Sequence, residues 1–150
     1  MPGTFSQIYF HVVFSVKNRE KLLDEEWEVK LYKYISGIIQ SQGQKPLIVN
    51  GYQDHIHIFM NTKPDINISH LIRDIKRSSS LFVNKESFTK KKFRWQSGYG
   101  IFSYSKSSIK SVIKYIENQK EHHSGQNFED EYVEILNKFD VDFDEKYVFD

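Results

Sequence analysis

Pro46-Leu47-Ile48-Val49-Asn50-Gly51-Tyr52 and His55-Ile56-His57-Ile58-Phe59-Met60-Asn61-Thr62 are two β-rich runs separated only by Gln53 and Asp54. A two-residue spacer between such runs predicts an antiparallel hairpin. Side chains alternate along a strand, so His55 and His57 share one side of the second run while Ile56 and Ile58 take the other. The apolar side can enter a core as the two imidazoles face outward, placed to grip one metal ion. Alone, the pair is weak evidence, because structural histidines on half-exposed strands are common.

Upstream, Gln7 to Lys17 is rich in Tyr, Phe and Val and predicts another strand, with Ile8, Phe10, Val12 and Phe14 on one face and Tyr9, His11 and Val13 on the other. His11 therefore either borders the histidine pair or satisfies a sheet surface. From an N-cap at Asp24, Trp27, Leu31, Tyr34, Ile35, Ile38 and Ile39 recur at helical spacing until Gly43. A second helix from about Ser69 carries Leu71, Ile72, Ile75, Leu81 and Phe82 on its apolar side and Arg73, Lys76 and Arg77 on its exposed side; His70 reads as a surface residue. A lysine-rich loop from Ser87 to Arg94 follows, and Gly98-Tyr99-Gly100 opens a strand running to about Tyr104. This order matches a ferredoxin-like α+β domain, one antiparallel sheet with helices packed on one face.

Ser105 or Ser107 then starts a long C-terminal helix. At 100° per residue, Ile109, Val112, Ile113 and Ile116 form its buried stripe, and Tyr115 and Gln119 lie side by side just outside it, about 40° apart. His122 shares the flank of Tyr115. From about Phe128 the tail is acidic, a short helix first, with Asp140 to Asp150 expected to be poorly ordered.

The 150 residues, 39% of them hydrophobic, suit a single domain, residues 1–150, with a real core. Charged residues make up 27%, and hydrophobic runs stop short of the ~20 residues of a membrane span, so no membrane association is expected. Met1 to Gln7 has neither a basic n-region nor a signal-type cleavage site, and cytoplasmic residence is the expectation. With no cysteine, a metal here must use His, carboxylate or amide ligands. The net charge of +1 hides an uneven distribution: Lys63 to Arg94 carries nine Lys or Arg against three acids, and Lys120 to Asp150 ten acids against three Lys. The basic segment, interleaved with Phe82, Phe88, Phe93 and Trp95, suits a phosphate backbone with bases stacked nearby, or is simply a solvated helix and loop.

His11-Val12-Val13-Phe14-Ser15-Val16-Lys17, Asp54-His55-Ile56-His57, Trp95-Gln96-Ser97-Gly98-Tyr99-Gly100, Tyr115-Ile116-Glu117-Asn118-Gln119 and His122-His123 together resemble the single-tyrosine HUH transposases, small enzymes of bacterial insertion sequences of the IS-two-hundred and IS-six-oh-five type. The resemblance spans most of the chain and implies a divalent ion held by His55, His57 and Gln119, with Tyr115 as nucleophile. It also implies a homodimer that recognises hairpins near element ends in single-stranded DNA. Arg73, Lys76, Arg77 and Lys90-Lys91-Lys92 suit such a partner. Mg²⁺ or Mn²⁺ is the expected ion; ligand softness alone also allows zinc.

The chemistry is coherent in its own right. A divalent ion on the scissile phosphate withdraws charge and steadies the leaving 3′ oxygen. A phenol, with a pKa of about 10, is a better nucleophile than a sugar hydroxyl, and a covalent phosphotyrosine keeps the bond energy for rejoining. Three rivals remain. One is a non-catalytic RNA- or DNA-binding module stacking bases on Tyr9, Tyr99 and Phe102. Another is a domesticated relative acting on repeat hairpins, or a rolling-circle nuclease with the same metal pair. The third is a metal hydrolase in which His55 and His57 activate water.

Overall fold

In the computed structural model, which describes residues 3–123 and 125–144, the expected hairpin pairs β2 (Lys45–Tyr52) with β3 (His55–Thr62). Tyr52 faces His55 and Asn50 faces His57, with a bulge between Pro46 and Ile48. Gly51 is required where the two strands meet: a Cβ there would sit 2.2 Å from the carbonyl oxygen of His55. β1 (Ile8–Ser15) lies antiparallel along the other side of β3, placing Val13 opposite His57 and Ser15 opposite His55. β4 (Gly100–Tyr104) pairs antiparallel with β1, giving the order β2-β3-β1-β4. That order is the ferredoxin-like arrangement read from the sequence, with the histidine strand in the interior of the sheet.

The two crossover helices, α1 (Glu28–Ser41) and α2 (Ile68–Lys85), cover one face. Strand alternation sends Val12, Phe14, Ile56, Ile58 and Met60 into that layer, where they meet Leu31, Ile35 and Ile39 of α1 and Leu71, Ile72 and Ile75 of α2. Each fully buried aliphatic side chain there contributes roughly 1.5–3 kcal/mol of transfer free energy. Asn67 caps α2, accepting from the His70 N–H, and the helix begins at Ile68, one residue before the expected start. The Asp24 carboxylate accepts from the Glu26 N–H, but the turn it opens precedes the helix, which begins at Glu28.

The opposite face is not left to solvent. α3 (Ile109–Glu117), α4 (Gln119–His122) and α5 (Phe128–Lys138) cover it. Val112 and Ile116 of α3 pack on Phe59, and Phe128, Tyr132 and Leu136 of α5 pack on Val13 and Phe102. Helices therefore lie on both faces, the crossover pair on one and the C-terminal segment on the other.

The segment carrying Tyr115 is also shorter than its apolar periodicity predicts. A 3-10 turn, Lys106–Ser108, precedes α3, and helical geometry breaks at Asn118 (φ −93, ψ 20) before α4. The cause lies in β2. Asn50 Nδ2 donates to the main-chain oxygens of Ile116 at 2.9 Å and Glu117 at 3.3 Å, taking acceptors that a continuing helix would need. Among the described residues no helix is long and apolar enough to cross a membrane. Of the expected loose tail, residues 145–150 lie outside the described residues.

Candidate active site

His55 and His57 point away from the α1–α2 core, as strand alternation requires, yet both are 0% exposed because the C-terminal helices roof them. The expectation that they face outward holds for the sheet and fails for the whole chain. His55 Nδ1 lies 2.8 Å from Asp54 Oδ1, which orients the ring and leaves Nε2 facing the site, 3.0 Å from Gln119 Oε1. His57 Nδ1 lies 2.7 Å from His11 Nε2, so His11, itself 1% exposed, borders the pair rather than lining an open sheet surface. His57 Nε2 is buried and has no hydrogen-bond partner among the described residues.

Gln119 is fully buried, not at the edge of the stripe, because the break at Asn118 turns it toward the strand histidines. Tyr115 is half-buried, its ring edge-on to that of His57 with centroids 5.8 Å apart. His55, His57, Tyr115 and Gln119 thus come together in one chain. His122 stacks edge-on against Tyr115 at 5.3 Å, and His70 is exposed.

At their centre stands Glu131 of α5, 2% exposed, a residue the sequence reading passed over as part of an acidic tail. Its Oε1 lies 3.2 Å from His55 Nε2, 3.4 Å from His57 Nε2 and 2.8 Å from His123 Nε2. Its Oε2 accepts from the Tyr115 hydroxyl and, at 3.1 Å, from Gln119 Nε2. A signal was there: Phe128, Tyr132 and Leu136 recur at helical spacing, and Glu131 falls on the same side of that helix.

These groups set one another's charge. Burial works against the charged form of His55, but hydrogen bonds and charge from Asp54 and Glu131 outweigh it and raise the imidazole from 6.5 to about 9. Burial keeps His57 below its ordinary value despite Glu131, and burial with His57 as neighbour lowers His11 further. For Glu131, burial favours the neutral acid, yet the surrounding histidines, His57 foremost, hold its carboxyl well below the usual range. Burial and then the Glu131 charge push the Tyr115 phenol up, so it is held protonated.

Residues 4–119 match the family of IS200-like transposases. The chain belongs to that family. A curated relative, the ISDra2 transposase TnpA of Deinococcus radiodurans, is 25% identical over 122 residues, covering 78% of this chain and 87% of its own. The crystal structure of a transposase candidate from Deinococcus radiodurans R1 shares the fold with a TM-score of 0.65 at 19% identity, over 79% of this chain and 95% of that one. A REP-associated tyrosine transposase bound to a REP hairpin shares it with a TM-score of 0.61 at 15% identity, over 82% of this chain and 73% of that one. α5, and Glu131 with it, lies beyond the matched segment of this transposase.

The donor set of the transposase fits a divalent ion. Ligand atoms of His55, His57 and Glu131 lie within 4.8 Å of one another, and His122, His123 and Glu131 form a second such group. His57 Nε2 supplies the buried, unpartnered nitrogen such a site needs. A cavity of about 250 Å³ opens beside Tyr115 between α3 and α5, lined by Ser111, Val112, Glu134 and Ile135 among others.

The six basic residues expected to meet DNA do not form one patch. Arg73, Lys76 and Arg77 line a groove with Arg94, Trp95 and Tyr99. Within it, Lys76 is engaged internally: its Nζ donates to the carbonyls of Gln96 at 2.9 Å and Gly98 at 2.6 Å, over the ring of Phe14, and burial lowers its pKa to about 8. Lys90 and Lys91 line a different groove beside Trp27, Phe88 and Lys120, where Lys91 pairs with Glu20; Lys92 is exposed.

Proposed function

We propose that this transposase cuts and rejoins single-stranded DNA by transesterification, with Tyr115 as the nucleophile. The Tyr115 oxygen forms a bond to the scissile phosphorus, the bond from phosphorus to the 3′ oxygen breaks, and the leaving strand ends in a 3′-hydroxyl. The other strand stays attached to Tyr115 through a 5′-phosphotyrosine. A second 3′-hydroxyl then attacks that phosphotyrosine, restoring the phenol and joining a new strand, with no external energy source. What supports the reading is the convergence of Tyr115 with a buried pair of strand histidines inside a chain of transposase ancestry.

His55, His57 and Gln119 would hold the divalent ion, Mg²⁺ or Mn²⁺, which supplies charge withdrawal at the scissile phosphate. Asp54 orients His55 and His11 orients His57, so each ring presents Nε2 to the site. Arg73 and Arg77 contact the DNA backbone, with Lys90 and Lys92 on a second surface. The enzyme works in the cytoplasm as a homodimer on DNA that folds into hairpins near element ends. A second reading, processing of dispersed repeat hairpins, is favoured by the neighbour bound to a REP hairpin and differs in the DNA that flanks the gene.

Incubation with labelled single-stranded DNA covering the gene's flanks, with and without Mg²⁺ or Mn²⁺, tests the proposal. Label retained on denatured protein only with metal, and lost in Tyr115→Phe, is the expected result. Cleavage without an adduct would point to the water-activating hydrolase.

A further inference from the structure

The segment matched to the transposase family ends at residue 119, yet the carboxylate at the heart of the site comes from α5. We infer that Glu131 is a further protein ligand of the divalent ion, so that ion binding and the docking of α5 onto the sheet form one linked equilibrium. This rests on the reading of His55 and His57 as the metal pair.

Ligand atoms of both histidines and of Gln119 converge on Glu131. With its Nδ1 held by Asp54, His55 aims Nε2 at Gln119 Oε1 and Glu131 Oε1, and a divalent ion there would take the place of the proton on that nitrogen. His57 Nε2, without a hydrogen bond, lies 3.4 Å from the same carboxylate oxygen. Three nitrogen and oxygen ligand atoms converging in a buried space can be bridged by a single divalent ion in place of protons. The spacing agrees. Ligand atoms about 2.1 Å from one octahedral ion and at right angles are about 3.0 Å apart, and the separations here are 3.0 Å for His55 to Gln119 and 3.2 Å for His55 to Glu131.

Chemistry and packing point the same way. Two imidazoles and an amide form a neutral set, whereas a carboxylate adds the hard, anionic oxygen that Mg²⁺ and Mn²⁺ favour. Glu131 is held in place by the docking of its helix: Phe128, Tyr132 and Leu136 bury against Val13 and Phe102. Gly100 permits the approach, since a Cβ there would lie 2.8 Å from the Tyr132 ring. If α5 in its docked position strengthens ion binding, the ion strengthens docking by the same factor.

Two measurements on the full chain test this. Mn²⁺ affinity, read by electron paramagnetic resonance, is compared among wild type, Glu131→Gln and His57→Ala. Amide hydrogen exchange of 128–138 is followed in wild type with and without Mn²⁺. The expected results are an affinity loss of roughly tenfold or more in Glu131→Gln and slower α5 exchange when Mn²⁺ is added. Unchanged or tighter binding in Glu131→Gln, or unchanged or faster α5 exchange with Mn²⁺, overturns the inference; tighter binding or faster exchange makes Glu131 a plug that the ion displaces. Wild-type affinity in His57→Ala instead sinks the metal site and the inference together. Should Glu131→Gln fail to fold, the exchange comparison in wild type decides.

Discussion

The side-chain amide of Asn50 donates to the main-chain oxygen of Ile116 at 2.9 Å, tying the strand opposite His57 to the end of the helix that carries Tyr115. The same amide reaches Glu117, so one side chain stops α3 and lets Gln119 turn inward. Asn50→Asp replaces the donor with an acceptor that repels both carbonyls. Its cleavage rate should fall by about tenfold or more, with stability lowered by roughly 1 kcal/mol. Single-turnover cleavage beside urea unfolding checks this; an Asn50→Asp enzyme with wild-type cleavage would remove the amide from the account.

The histidine cluster gives the metal-free protein a defined stability profile. His55 is raised from 6.5 to about 9, so its contribution is complete below pH 6.5 and is lost as pH rises through 9. That loss is on the order of 3 kcal/mol for a shift of this size. His57 and His11 are lowered instead, so the unfolded chain binds their protons first and stability declines as pH falls below 6.5. Metal-free protein should therefore melt highest near neutrality. Thermal unfolding in chelator from pH 5 to 9.5 would show this, and a melting temperature still rising from pH 7 to 9 would contradict it.

Lys76 and its neighbours on α2 should separate by salt dependence. Lys76 pins the carbonyls of Gln96 and Gly98, so Lys76→Met should cost stability while leaving the salt slope of DNA binding nearly unchanged. Arg73→Ala and Arg77→Ala should each reduce that slope by about one unit. Binding of a hairpin oligonucleotide between low and moderate salt reads both. A flat slope in wild type would rule out this face as the DNA contact.

The hairpin, the α+β class and the crossover helices were legible because each rests on local signals: the Gln53-Asp54 spacer, alternation through Ile56 and Ile58, and the apolar stripes of α1 and α2. Family motifs brought His55, His57, Tyr115 and Gln119 together in the reading, and the geometry brings them together in the chain. What escaped depends on contacts distant in sequence. The break at Asn118 is imposed from Asn50, and the burial of the histidines is imposed by α5. Glu131 was hidden by its acidic surroundings, since a charge run ordinarily reads as a solvated face. Lys76 looked like one exposed cation among several until the 96–98 loop folded back onto it.

The proposed function turns on covalent capture of the DNA by Tyr115. The most direct measurement is tandem mass spectrometry of peptides from protein incubated with cleavable single-stranded DNA and Mn²⁺, then denatured and treated with nuclease. A nucleotide phosphate on the peptide containing Tyr115, absent with chelator and absent in Tyr115→Phe, is the expected result. Cleaved DNA with every tyrosine unmodified, or the nucleotide on another residue, would contradict it.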